Sequence, residues 1–395
     1  MIYIITFLIS SMFIWLGTRE CTRQKMIEGM WNTVSLKKLP VLTGLLFPVL
    51  LASMRATSVG SDVSFYVVPF FKKAIISNTF SGYINLIGGN VNDIGYCLLN
   101  YIISKFTAEI GWVFFFSELI IVFFTFAGCW QLRGKAYPWL SMLFFYFLFY
   151  NITLSTVRQS CALAISFFAF SYLSAKQFRR DAIIKYILFI IVASTFHRTV
   201  VFDFAIVFIA YFIFKKKISI LKYNVAVFVV CLGARFFSTS FLSMVGNIIG
   251  VVTTKYTNDF FLSTKRTGAS GYSSVIILSI IVVLLQFAYM RNERKKYMDG
   301  FNRVLLGLNI LYVFAMVFLS RFSFIPRLLY YIQFSWCLSF AQGMKLVKDN
   351  RLNSTLVTIA LLVVVIVFWG FFFVLGNVHG TYPYIFRLSH EFCGI

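Results

Sequence analysis

Residues 355–375 read TLVTIALLVVVIVFWGFFFVL, without one charged side chain. A run of that length is long enough to cross the hydrocarbon of a bilayer as a helix, where about 20 apolar residues are needed. It is one of many. The chain is 60% apolar and only 12% charged, with a mean hydropathy of +0.84, against about half and a quarter for ordinary soluble domains. A soluble fold has no room to hide so much hydrocarbon surface. This excludes a cytosolic enzyme, a secreted disulfide scaffold and a disordered chain.

The pattern predicts an all-α polytopic transmembrane protein, residues 1–395 forming a single membrane domain. About 12 spans are expected, near 2–16, 39–54, 112–130, 138–150, 157–174, 183–196, 200–214, 224–237, 272–290, 303–319, 327–344 and 355–375. Several are short, which suggests broken or re-entrant helices or a thinned bilayer. The first run has no basic segment before it and no small-residue cleavage site after it, so it reads as a retained span rather than a signal peptide.

Most of the 36 Lys and Arg residues fall on one side of this arrangement. Loops 17–38, 131–137, 175–182, 215–223, 291–302 and 345–354 carry them, with Lys215-Lys216-Lys217 and Arg294-Lys295-Lys296 as tight clusters. By the positive-inside rule that side is cytoplasmic, and both termini face outward. The net charge of +23 is thus accounted for by topology signals beside anionic lipid, not by nucleic acid. Two long outer segments remain. Segment 55–111 carries amphipathic stretches at 65–76 and 94–106, and segment 238–271 is rich in Ser, Thr and Gly. Outer loops of that length usually cover a site.

The outer side holds fewer charges, but six arginines sit at or just inside the ends of spans: Arg55, Arg158, Arg198, Arg235, Arg321 and Arg327. Each runs against the topology bias and is costly if it enters the hydrocarbon. An anionic ligand at the outer boundary would offset that cost, because the guanidinium fork binds phosphate bidentately and keeps its proton. Snorkelling to headgroups and helix capping are the plainer alternatives. The arginines come with polar neighbours. Arg55 is followed by Gly60, Ser61, Asp62 and Tyr66, with Asp62 or Ser61 placed to cap the next helix. Asp93 precedes Gly95-Tyr96. Arg158-Gln159 opens the fifth span, where a helix N-terminus already favours anions. His197-Arg198 lies in a tight outer turn, with Asp203 one turn deeper. Arg327 is followed by Tyr330 and Tyr331, which also suit an interfacial aromatic belt.

Familiar catalytic signatures are missing. There is no Walker A, GxSxG, HExxH or DxD-type pair, and three histidines with scattered acids give no recognisable metal spacing. Of the seven cysteines none forms a CxxC pair, and most lie in apolar runs where Cys behaves as a small hydrophobe.

Taken in order, Arg55…Gly60-Ser61-Asp62…Tyr66, Gly95-Tyr96, Arg158-Gln159…Ala162, Phe196-His197 and Arg327…Tyr330 resemble the EpsG-like branch of the Wzy-type bacterial polysaccharide polymerases, from about residue 40 to 345. Asp93 departs from the pattern, in which Glu is commoner before the Gly-Tyr pair. The resemblance implies a glycosyltransferase without metal or other cofactor in the inner (cytoplasmic) membrane, its active site facing the periplasm or exterior. It would join undecaprenyl-pyrophosphate-linked oligosaccharide units, donor and acceptor, into O-antigen, capsule or exopolysaccharide. Membrane lipid and a chain-length regulator protein would be its other partners, and the loops 55–111 and 238–271 part of the cavity.

On that reading Arg55, Arg158, Arg198, Arg321 and Arg327 meet the pyrophosphate, whose developing charge calls for cations rather than a general acid. Asp93, Tyr96, Gln159, Tyr66 and Tyr330 contact sugar. His197 takes the acceptor proton, with Asp62 the alternative base, and Arg158 takes part in catalysis. A flippase for the same lipid, or a polysaccharide ligase, are the competing readings. A flippase would favour matched repeats around a midplane site, and none is visible.

Overall fold

The computed structural model describes residues 1–23, 36–88, 93–175, 179–206, 209, 219–236, 269–292, 300–320, 324–345 and 351–387. Every regular element among them is helical, apart from one isolated bridge between Arg55 and Phe386. In order these are α1 (Ile2–Arg23), α2 (Lys38–Ser53), a π-helical turn (Val63–Val67) running into α3 (Val68–Ile76), α4 (Phe80–Leu86), α5 (Ile94–Ser104), α6 (Gly111–Gln131), α7 (Pro138–Phe145), a π-helical segment (Tyr146–Tyr150), α8 (Asn151–Ser155), α9 (Val157–Ala175) and α10 (Arg180–Phe196). After a 3-10 turn (Arg198–Val201) come α11 (Ile220–Phe236), α12 (Ala269–Asn292), α13 (Gly300–Leu319), α14 (Phe324–Gln333), α15 (Trp336–Ala341) with a 3-10 turn (Gln342–Lys345), and α16 (Arg351–Trp369), which ends in a π-helical turn (Gly370–Leu375).

Helices occupy every expected apolar run, although only 200–206 and 209 of the run 200–214 are among the described residues. Among the described residues, five helices are long and apolar enough to cross a membrane: Ile2–Arg19, Gly111–Gln131, Pro138–Ser155, Phe301–Leu319 and Asn353–Leu375. That is fewer than the expected twelve, because others are apolar but shorter, such as Lys38–Ser53 and Val157–Leu173. The run expected at 138–150 continues to Ser155. The amide of Asn151, which would otherwise end it, is satisfied inside the protein: its nitrogen donates to Thr381 Oγ1 (2.9 Å) and its oxygen accepts from Trp369 Nε1 (2.7 Å).

The chain divides into two compact units, Met1–His197 with Ile359–Ile395, and Arg198–Thr358. In the first, α1 packs on α2 and α7, α2 on α6, and α6 and α10 on either side of α9. Small residues let these helices close up. A Cβ at Gly44 would come within 2.8 Å of the Ser10 carbonyl oxygen, and one at Gly128 within 2.7 Å of the Phe167 ring. Close approach through small residues is how helices associate where lipid offers no hydrophobic drive. Ser10 ties the contact further, donating to the Gly44 carbonyl (2.7 Å) and bonding the Tyr146 hydroxyl (2.8 Å). The fully buried π-helical segment Tyr146–Tyr150 forms the middle of this bundle. Helices α3, α4 and α5 stack on one another at one end, over a core of Val63, Val67, Phe71, Tyr96, Ile103 and Phe114.

In the second unit α13 packs against α11, α12 and α14. Some of its buried polar side chains bond one another across the helices. Trp336 donates to Asn309 (3.1 Å), and Gln342 links Gln286 (2.7 Å) to Asn302 (3.0 Å).

Candidate active site

The first unit gathers its polar chemistry at one end. The start of α1, the C-terminal ends of α2, α8 and α10, and the N-terminal ends of α5, α6 and α9 all meet there, joined by the segment that follows α16. Tyr3 donates to the Thr381 carbonyl (2.6 Å), Ser61 shares a hydrogen bond with Ser155 (2.9 Å), and Arg387 pairs with Glu109 (3.1 Å) just before α6. Thr195, near the end of α10, meets Gly95 so closely that a Cβ on the glycine would lie 2.2 Å from the threonine hydroxyl. The opposite ends of these helices carry the basic loops, with Lys37, Lys38, Arg133, Lys135, Arg179 and Arg180.

Arg158, on the first turn of α9, forms an ion pair with Asp93, the residue before α5. The guanidinium lies over the Tyr66 ring at 4.5 Å and the Phe70 ring at 5.3 Å. Both partners are largely enclosed, with 15% and 11% of their side-chain surfaces exposed. An ion pair so shielded from water keeps far more of its attraction than a surface pair. Asp93 is drawn to Arg158 and does not cap α5, since its side chain makes no bond to the helix's first amides. Tyr96, one turn on, is fully buried. Gln159 is 5% exposed beside Arg158.

Asp62 opens the π-helical turn that carries Tyr66, whose amide donates to the Asp62 carbonyl (3.0 Å). The expected capping role does not hold, because the Asp62 carboxylate bonds none of the first amides. Ser61 is engaged with Ser155 instead. Asp62 is half-buried, and its carboxylate has no hydrogen bond or ion pair among the described residues. The chain reverses just before it at Gly60, where φ is +108° and a side chain would strike the Leu154 carbonyl at 2.5 Å. Only glycine suits both conditions.

Arg55 lies deeper. It is 1% exposed, with its guanidinium 4.2 Å from the centre of the Phe114 ring. Its Nε and Nη1 have no hydrogen-bond partner among the described residues. Burial lowers its pKa from the ordinary value, and the negative charge of Glu118 opposes that shift. Glu118 is itself buried in α6 and accepts from the Thr153 hydroxyl at 3.1 and 3.2 Å. Arg55 is thereby enclosed in protein, not presented at a surface. Glu118 has its own sequence signal, an acid inside an apolar run, which marks a functional or paired position by default.

His197 follows α10, with its amide on the Ala193 carbonyl (3.1 Å) and its ring half-buried. Its neighbour Phe196 packs on the cluster that contains Tyr96 and Val157. In the second unit, Thr199, next to Arg198, shares a hydrogen bond with Tyr331 of α14 (3.1 Å). Arg327 is exposed on that helix, Tyr330 is half-buried, and Asp203 is 2% exposed. Arg235 donates to the Phe318 carbonyl (3.3 Å). Arg321 and nearly all of the loop 238–271 lie outside the described residues.

A membrane-embedded helical bundle that collects arginines, carboxylates and tyrosines at one end is the class this architecture defines. The chain belongs to the EpsG family, whose profile matches residues 38–386. That membership points to a polysaccharide polymerase-like function with lipid-linked sugar substrates. No curated protein and no solved structure matches the chain.

Proposed function

We propose that the chain is a glycosyltransferase that joins oligosaccharide repeat units carried on undecaprenyl pyrophosphate into O-antigen, capsule or exopolysaccharide. It would do so at the outer face of a bacterial cytoplasmic membrane, as a protein of about twelve spans. The observation that carries the reading is Arg158, held at one end of the bundle by Asp93 and covered by the ring of Tyr66, one turn after Asp62. The basic loops at the opposite ends of the same helices support the outward orientation of that end.

In the reaction a hydroxyl of the acceptor sugar attacks the anomeric carbon of the donor. The bond from that carbon to the pyrophosphate oxygen breaks, and the hydroxyl proton passes to a base. Asp62 fits the base, because its carboxylate is not committed to another group. His197 is the other candidate. The departing lipid pyrophosphate gathers negative charge and needs cations, not a proton. Arg158 has five N–H donors, and its one bond to Asp93 leaves others for a phosphate oxygen. Tyr66 would flank the sugar, whereas the expected sugar contact of Tyr96 does not fit its full burial in the core.

The test is the purified protein in vesicles with lipid-linked repeat units and no energy source. Lengthening of the glycan is the expected result. Movement of the lipid between leaflets without lengthening would identify a flippase, and transfer to a different acceptor a ligase; either would overturn the assignment.

A further inference from the structure

The segment after α16 doubles back along the turn between α2 and the π-helix. Ala56 donates to the Ile385 carbonyl (2.8 Å), Gly60 to Gly380 (2.8 Å) and Ser61 to His379 (2.9 Å), while Arg387 donates to Met54 (2.9 Å). Arg55 and Phe386 face one another as an antiparallel bridge. At Gly380 φ is +62°, so the segment turns there without strain.

The segment is held in turn from below. Thr381 is fully buried, its hydroxyl accepting from Asn151 and its carbonyl from Tyr3. His379 is 8% exposed, with the Phe372 and Phe373 rings 6.2 and 6.1 Å away. Tyr384 donates to the Leu51 carbonyl. Nothing else among the described residues pairs with the amides of Ala56, Gly60 and Ser61, and those amides belong to the stretch that ends in Asp62.

We infer that residues 377–387 are a strap that positions Asp62 for catalysis, with Thr381 as its anchoring residue. The inference rests on the polymerase reading for the meaning of Asp62, but its geometry can be tested without it. The strap's effect is on catalysis through another residue, so Thr381 is a positioning residue.

The experiment compares Thr381→Val, which keeps the shape but removes the hydroxyl, with Thr381→Ser, which restores it. Full-length protein in lipid nanodiscs is followed by hydrogen–deuterium exchange, and the same preparations are assayed for glycan lengthening. Thr381→Val should speed exchange in 54–62 while α9 is unchanged, and should slow lengthening about tenfold, the factor set by one buried hydrogen bond. Thr381→Ser should resemble the parent in both. Unchanged exchange in 54–62 would remove the strap. Faster exchange with normal lengthening would remove the positioning role. A chain ending at Leu375 gives a second reading. It should insert, show exposed amides in 54–62 and lengthen nothing; full lengthening would overturn the inference. Failure of the polymerase reading shows differently, as parent protein that lengthens no glycan at all while its 54–62 amides stay protected.

Discussion

Arg158 and Asp93 neutralise each other across the junction of α9 and α5, with Tyr66 and Phe70 closing over the guanidinium. The pair fixes the cation's position and leaves donors to spare, which suits a group that must meet charge arising during a reaction.

Removing either partner strands the other in an enclosed site. Asp93→Ala and Arg158→Ala should each destabilise the protein by about 2 kcal/mol, and the double variant by clearly less than the sum. Thermal denaturation in detergent measures the cycle, and strict additivity would show that the pair contributes nothing.

Activity separates the two roles of Arg158. Arg158→Lys keeps a positive charge but loses the fork. It should fold normally and lengthen glycan about a hundredfold more slowly. A ladder of parental length on a gel of surface glycan would exclude Arg158 from the reaction. Arg327→Ala in α14 should also shorten the ladder, with protein level unchanged.

The choice of base is decided by Asp62→Asn against His197→Ala. The amide has the size of the carboxylate but takes no proton. Lengthening should fall at least a hundredfold in Asp62→Asn and modestly in His197→Ala. The reverse ranking would reassign the base to the histidine.

Gly95 lies against Thr195, so Gly95→Ala should push α5 away from α10 and disturb the start of α5, where Asp93 sits. Its loss of stability should be about 1–3 kcal/mol. Thr195→Ala removes the nearest clashing atom and should recover part of that loss. Equal stability of Gly95→Ala and the parent would show that the contact relaxes freely.

Glu118→Ala would remove the buried carboxyl group whose attraction opposes the loss of charge on Arg55. Uncompensated buried charges typically cost 3–5 kcal/mol, so the yield of folded protein should collapse. Adding Arg55→Met should restore much of it, because an apolar chain of similar length can rest on Phe114.

The helices were legible because apolar runs and charged breaks are local signals. Even the broken central run, α7 to α8, shows as a hydrophobic stretch, and only the internal pairing of Asn151 hides its true end. Arg158, Asp93, Asp62 and Tyr66 were legible as candidates, since each polar group stands out against its apolar surroundings. Their partners were not. Asp93 binds an arginine 65 positions away, and Glu118 bears electrostatically on Arg55 from α6. Residues 377–387 show no periodicity, and their use depends on where the end of the chain returns. Such pairings are properties of the assembled bundle, invisible to any window of neighbouring residues.

Tyr3 and Thr381 are bonded across almost the whole length of the chain. A protein made from its N-terminus onward inserts Tyr3 and Asp62 first and must wait for Thr381. During synthesis the helices can enter the bilayer one after another while this end stays unfinished. The end of the bundle that carries Tyr3 is thus closed only once residues 377–387 have been made.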